Sequence, residues 1–210
     1  MAKTYLFDFD GTLVDSMPTY GKVILKIVNE YGVDYPEDII KITTPLGFLG
    51  TARYYIGLGI SETEEFLVQK MKNMLVKEYE NNIPAKSNVI EVLRALKARG
   101  DSLNVLTASP HESLDPCLKR LGIYDLFDNV WSCDDFNTTK ADPEIYKMAS
   151  KRIGVDVKDV IFLDDNLNAD KTAKTAGMIV YGVYDPSSKD FVDEMKAITD
   201  KYIYDFKELL

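Results

Sequence analysis

Short apolar runs alternate with amphipathic helical segments, and this alternation constrains the fold more than any other property of the chain. Residues 4–9 form a short apolar and aromatic run that meets Asp10-Gly11, as a buried strand ending in a turn does. Further runs of this kind lie at 103–107 (LNVLT), 130–132, 160–163 (VIFL) and 179–183 (IVYGV). Between them the spacing predicts helices. One spans 88–99, capped by Ser87, with Val89, Val92, Leu93 and Leu96 on one face and Gly100 as its stop. The next opens at Ser109-Pro110-His111-Glu112, a cap, a first-turn proline and a capping-box acid, and carries Leu114, Cys117, Leu118 and Leu121. A third starts at Asp142-Pro143 and a fourth runs from 168 to 177. Strands alternating with helices imply right-handed crossovers and a mostly parallel sheet, an α/β fold that binds ligands at the carboxyl ends of its strands.

The stretch 14–84 breaks the alternation and reads as helices only, at 20–31, near 36–42, at 51–58 and at 61–80, the last with a capping box from Ser61 to Glu64. The expected organisation is an α/β core of residues 1–14 and 85–210, with an all-helical domain, 15–84, inserted after the first strand.

Charge excludes several functions. Asp and Glu number 34 against 25 Lys and Arg, a net −9, and the densest basic cluster, 140–152, is broken by acids and apolar residues. Such a surface repels phosphate backbones and anionic lipids, so neither nucleic acid nor membrane is an expected partner. No apolar run approaches the roughly 18 residues of a membrane span. The opening residues reach Asp8 too soon for a signal peptide, and the two cysteines, Cys117 and Cys133, form no CxxC. A cytoplasmic location is expected.

The acids fall at strand ends. Asp8 and Asp10, two apart, point to the same side at the end of the first strand. Asp164 and Asp165 end the VIFL strand, Thr107 ends LNVLT, and Lys140 lies in the loop before the Asp142 helix. If those strands are neighbours, four carboxylates, a hydroxyl and an ammonium converge. Clustered carboxylates repel one another unless a cation neutralises them, and oxygen ligation with room for water suits Mg²⁺. A hard cation beside Lys and Thr is a site for a phosphoryl group.

The segment Asp8-Phe9-Asp10-Gly11-Thr12-Leu13-Val14-Asp15-Ser16 resembles the first signature of the haloacid dehalogenase superfamily. Val105-Leu106-Thr107-Ala108-Ser109, then Lys140-Ala141-Asp142-Pro143, then Phe162-Leu163-Asp164-Asp165-Asn166, are similar to its hydroxyl, lysine and acidic motifs, in the family's order. The inserted helices resemble its C1-type cap, and the whole chain is similar to the phosphoglycolate-phosphatase-like and β-phosphoglucomutase-like members. The resemblance implies a Rossmann-like core and an Mg²⁺-dependent phosphatase for a small phosphorylated metabolite, working as a monomer or homodimer. Asp8 would be the nucleophile that forms an aspartyl-phosphate, and Asp10 the acid and base. Asp8, the Asp10 carbonyl and Asp165 would hold Mg²⁺, with Asp164 nearby. Thr107, the Ala108 amide and Lys140 would bind the phosphoryl oxygens.

Specificity is expected from a mobile, Gly-rich cap loop at 43–50, including Thr44 and Gly47, and from Arg53 as a partner for a second substrate anion or as a plain surface arginine. Two departures stand out. Ala141 follows the lysine where many members have Pro. Four residues past the second aspartate, where many members place an acid or Asn, this chain has Ala169, with Asn168 and Asp170 on either side.

Singly, these residues have plainer readings: Asp10-Gly11 is a turn, Lys140 a solvated lysine, and Asp142 a helix cap. His111, the sole histidine, is expected to be exposed, and both cysteines to be packing residues. Dehalogenases of the family lack an acid at the Asp10 position. Many mutases carry a His shortly after the first motif, where this chain has Met17-Pro18-Thr19-Tyr20, yet a sugar-phosphate mutase remains the alternative. Phosphonate hydrolysis needs a cap lysine, and nothing singles out Lys22, Lys26 or Lys41. A phospho-receiver or a non-catalytic binding module is the reading from another class, although a receiver places its acid pair early and has no helical insertion.

Overall fold

Buried on both faces, a central strand of a parallel sheet reads as a near-continuous apolar run, as VIFL does, while LNVLT carries the buried Asn104, whose amide donates to Tyr5 O at 3.1 Å. The computed structural model describes residues 2–210. Six strands, β1 (Thr4–Phe7), β2 (Ser102–Thr107), β3 (Asn129–Ser132), β4 (Val160–Asp164), β5 (Ile179–Val183) and β6 (Lys201–Ile203), form one sheet in the order β3-β2-β1-β4-β5-β6. Every pairing is parallel. The chain builds outward from β1 to β3, then returns to the other side of β1 with β4. The order therefore reverses beside β1, the place where sheets of this kind leave a crevice at their carboxyl ends.

Alternate residues of β1 serve opposite faces. Leu6 joins Leu106, Phe162, Val160 and Val180 in a core covered by Ile145, Tyr146 and Ala149 of α7 (Pro143–Ile153) and Ala173 and Ala176 of α8 (Leu167–Ala176). Tyr5 and Phe7 stack on the other face, where Phe7 meets Phe127 and Phe206. That side also carries α5 (Val89–Ala98), whose Val89, Val92, Leu93 and Leu96 are all buried. The remaining helices of this unit are α6 (His111–Arg120) and α9 (Val192–Ile198).

The chain divides into two compact units, residues 1–15 with 84–210, and residues 16–83. The second is helical: α1 (Met17–Tyr31), α2 (Ile39–Thr43), α3 (Gly47–Gly57) and α4 (Glu64–Asn81). Its core holds Ile27, Ile39, Tyr55, Leu67, Met71 and Leu75. The buried Tyr55 hydroxyl donates to the Ile24 carbonyl at 3.0 Å, which offsets the cost of placing a polar group there. Within the first unit the two segments flanking the insertion pair with each other. Asp15 N donates to Pro84 O (2.9 Å), Lys86 N donates to Leu13 O (3.0 Å), and Val14 and Ala85 form an antiparallel bridge.

Several local expectations are corrected. Segment 43–50 is not a loop: a 3-10 turn, Thr44–Leu46, runs into α3, which starts at Gly47. The hydroxyls of Thr43 and Thr44 donate back to the carbonyls of Ile39 and Ile40, continuing the helical path through residues that singly signal a turn. Ser87 caps nothing; Asn88, at φ 64°, precedes α5 and donates to Asp205 Oδ2 at 2.7 Å. Ser109 is not a cap either, since Pro110 takes that place. Helix α4 begins three residues later than expected, with Thr63 Oγ1 accepting from Phe66 N at 3.1 Å. Strand β6 and helix α9 lay outside the sequence reading. Among the described residues no helix is long and apolar enough to cross a membrane.

Candidate active site

At the reversal of strand order β1, β2 and β4 end side by side. Phe7 is level with Val105 on one side and Leu163 on the other, and Asp8 N donates to Leu163 O at 2.8 Å. This register brings Asp8 beside the acids that close β4. One carboxylate oxygen from each of Asp8, Asp164 and Asp165 lies within 4.8 Å of the others, and all three residues are buried.

Such a cluster repels itself. Burial, then the charge of Asp164, pushes Asp8 well above the ordinary carboxylate range, although Lys140 opposes the shift. Asp165 is pushed up to about 8 by burial, then by Asp164 and Asp185. Lys140 is the internal counter-charge. Its ammonium donates to Asp8 Oδ1 and, at 2.8 Å, to Asp164 Oδ2. Burial disfavours its charge, but the carboxylates of Asp164 and Asp8 prevail and hold it well above the usual lysine value. The Tyr146 hydroxyl fixes the lysine's backbone by donating to Lys140 O at 3.1 Å. Asp164 Oδ1 accepts from Asn166 N at 2.8 Å, and Asn166 in turn caps α8.

Gly11 shapes the rim. Its φ of 76° suits glycine, and a Cβ there would lie 2.5 Å from Asp165 Oδ2. The close approach lets Thr12 Oγ1 donate to Asp165 Oδ1 at 3.1 Å. Asp10 is half-buried and accepts at Oδ2 from the Ser109 hydroxyl at 2.5 Å. Thr107 is buried at the end of β2, where its Oγ1 accepts from Ser109 N at 3.0 Å. Accepting that bond keeps its own O–H hydrogen for a ligand. Ala108 beside it is exposed.

Of the residues around position 169, Asp170 is the acid that turns inward. Asn168 is exposed and Ala169 is buried, while Asp170 is fully buried with no hydrogen-bond partner at either carboxylate oxygen. Burial, then the charges of Asp164 and Asp165, pushes it up to about 9. A buried carboxylate without a donor needs either a proton or a cation. The buried carboxylates of Asp8, Asp164 and Asp165, with Lys140 against two of them, are a hard, all-oxygen donor set, which fits a divalent metal ion.

The cap candidates belong to the helical unit. Thr44 Oγ1 donates to Ile40 O at 2.6 Å, Gly47 makes the bend into α3 at φ 63°, and Arg53 Nε donates to both oxygens of Glu64 at 3.1 Å. His111 is not simply exposed: its ring nitrogens lie 2.8 Å from Asp115 Oδ1 and from Asp135 Oδ2. Lys86 and Asp185 adjoin the site without having been expected there, while Thr12 and Ser109 stand in the motifs with no role assigned to them. Ser109 could have been noticed from its place two residues past the end of the LNVLT strand.

The chain is similar to several known proteins. Pyrophosphatase PpaX of Bacillus velezensis is 30% identical over 188 residues, covering 85% of this chain and 81% of its own. A phosphorylated carbohydrates phosphatase of Thermotoga maritima is 27% identical over 180 residues, covering 85% and 83%. Among solved structures, YfnB of Bacillus subtilis bound to magnesium superposes with a TM-score of 0.83 at 16% identity, over 99% of this chain and 96% of that one. Residues 5–183 match the family described as haloacid dehalogenase-like hydrolase, and the chain belongs to that family.

Proposed function

We propose that the protein is an Mg²⁺-dependent phosphatase that hydrolyses a small phosphomonoester through an aspartyl-phosphate on Asp8. The observation that carries this reading is the convergence of Asp8, Asp164 and Asp165, with Lys140 between two of them. Asp8, the Asp10 carbonyl and Asp165 would hold Mg²⁺, with Asp164 and Asp170 behind them. Bound there, the ion would keep the carboxylates ionised and offset the negative charge of the phosphoryl group.

In the first step an Asp8 oxygen bonds to phosphorus as the ester P–O bond breaks, and the Asp10 carboxyl proton passes to the leaving oxygen. In the second, Asp10 takes a proton from water, the water oxygen bonds to phosphorus, and the bond to Asp8 breaks to release phosphate. The Thr107 hydroxyl, the Ala108 amide and Lys140 hold the phosphoryl oxygens as charge builds on them. The Ser109 hydroxyl fixes the carboxylate of Asp10. Ser109→Ala is therefore expected to lower kcat about tenfold with little change in KM. A tenfold rise in KM at constant kcat would place Ser109 in substrate binding instead.

The helical unit is the cap in this reading and supplies substrate choice. Arg53 is already engaged by Glu64, so pairing with a substrate anion has to displace that bond. The buried thiols of Cys117 and Cys133, neither in a disulfide, support a reducing compartment such as the cytoplasm. The test is phosphate release from a panel of small phosphomonoesters, with Mg²⁺ and with EDTA. Release that requires Mg²⁺ is expected. A folded protein that binds Mg²⁺ yet releases phosphate from none of the esters would favour the mutase reading.

A further inference from the structure

Lys86 lies outside every motif of the chain, yet its ammonium reaches the catalytic turn. It donates to Gly11 O at 2.5 Å, to Tyr184 O at 2.7 Å and to Asp185 Oδ2 at 3.0 Å. The pair is well shielded, with side-chain exposures of 17% for Lys86 and 2% for Asp185. Asp185 is itself anchored, since Oδ1 accepts from Ser187 N at 2.9 Å and from the Ser187 hydroxyl at 2.6 Å. One ammonium thus ties together the turn after β1, the end of β5 and the segment that returns from the helical unit.

The turn is also held within itself, since Leu13 N and Val14 N both donate to Phe9 O, at 2.9 and 3.0 Å. Gly11 N donates to Val14 O at 3.0 Å, which sets the plane of the Asp10–Gly11 peptide. Because that peptide is trans and planar, the Asp10 carbonyl must face away from Val14. The next plane carries the Gly11 carbonyl, and Lys86 is what grips it. Beyond that plane lies Thr12, whose hydroxyl holds Asp165, and Gly11 itself packs against the Asp165 carboxylate.

We infer that Lys86, anchored by Asp185, is a positioning residue that fixes the Asp10–Thr12 turn, and through it Asp165, in the geometry that binds Mg²⁺ and supports turnover. The inference rests on the phosphatase reading of the site. Electrostatics alone act in the opposite sense, because an ammonium beside a cation site weakens cation binding. Removing Lys86 for its charge alone would tighten Mg²⁺ binding, whereas removing it as a clamp loosens it.

The test is calorimetric titration with Mg²⁺ alone, together with steady-state kinetics, on full-length protein. In the double variant Lys86→Met with Asp185→Asn, both charges leave and the net charge is unchanged. The expected result is an Mg²⁺ Kd at least fivefold weaker and a kcat at least tenfold lower, with KM within about twofold. The control is Arg99→Met with Asp101→Asn, an ion pair of the same unit remote from the turn (2.6 Å, with Asp101 buried). It is expected to lose thermal stability while keeping wild-type Mg²⁺ affinity and kcat.

Wild-type Mg²⁺ affinity and kcat in the double variant would overturn the inference. An equal loss of Mg²⁺ affinity in the Arg99/Asp101 control would do so too, by showing only general loosening. If the double variant does not fold, Lys86→Met alone decides: weaker Mg²⁺ binding supports the clamp, and equal or tighter binding refutes it. Failure of the phosphatase reading is seen separately, in wild-type protein that neither binds Mg²⁺ nor hydrolyses any ester.

Discussion

Asp8→Asn is expected to abolish phosphate release, by about 10⁴-fold or more, in a protein that stays folded. The amide has nearly the shape of the carboxylate but cannot form the acyl-phosphate bond, so both chemical steps stop. Stability should move the other way. Asp8 is a buried acid whose ionised form is disfavoured by desolvation and by Asp164, so a neutral isostere relieves more repulsion than it loses in attraction to Lys140. The melting temperature in EDTA should therefore hold or rise. Stopped turnover together with an undiminished melting temperature separates a nucleophile from a structural aspartate. Asp10→Asn is the companion variant. It retains the nucleophile, so it should accumulate phosphoenzyme from an activated ester while its overall rate falls roughly 10²–10⁴-fold. Turnover near wild-type in Asp8→Asn would sink the mechanism.

The parts of this site that could be read in the sequence are those placed by a strand. Asp8, Thr107 and Asp164 sit at or just past the ends of apolar runs, and the period of a strand together with parallel topology brings such ends to one edge. Lys140 and Asp165 came with the motifs. Residues placed by long-range loop contacts left no local trace. Lys86 meets Asp185 across 99 positions, and neither flanking segment has a periodicity that points to the pairing. Asp170 could be seen only as one of two acids or amides beside residue 169, because which of them turns inward depends on where α8 begins. That start is set by Asn166, whose side chain caps the helix through Asn168 N and Ala169 N. Residues 43–50 misled for the opposite reason. Thr, Pro and Gly each favour a turn locally, but the threonine hydroxyls and the packing of α3 against α4 carry the segment along as helix.

The metal-free protein should lose stability as pH rises, and Mg²⁺ should cancel that loss. The sign follows from where the protons sit. Asp165 and Asp170 have folded values of about 8 and about 9 against ordinary carboxylate values when unfolded. Between roughly pH 4 and pH 9 the folded state therefore binds more protons than the unfolded state, and stability falls as pH rises through that window. His111 adds the same sign, because its hydrogen bond to Asp115 raises its folded value, and its contribution is lost as pH climbs past that value. Asp128, Asp135, Asp185 and Asp200 are shifted down by their partners and act only at the acid end, where stability is lost as pH falls below the ordinary carboxylate range. In EDTA the melting temperature should thus peak in mildly acidic buffer and decline toward pH 9. Mg²⁺ competes with protons for the same oxygens, so its binding strengthens as they leave. At a hundredfold excess over Kd the ion contributes about 2.7 kcal/mol, roughly 5–10 °C in a chain of this length. The increment should be largest near pH 8–9 and small near pH 5. Thermal melts across that range, with EDTA and with saturating Mg²⁺, test it directly. An increment that shrinks as pH rises would mean that these buried carboxylates are not where the ion binds.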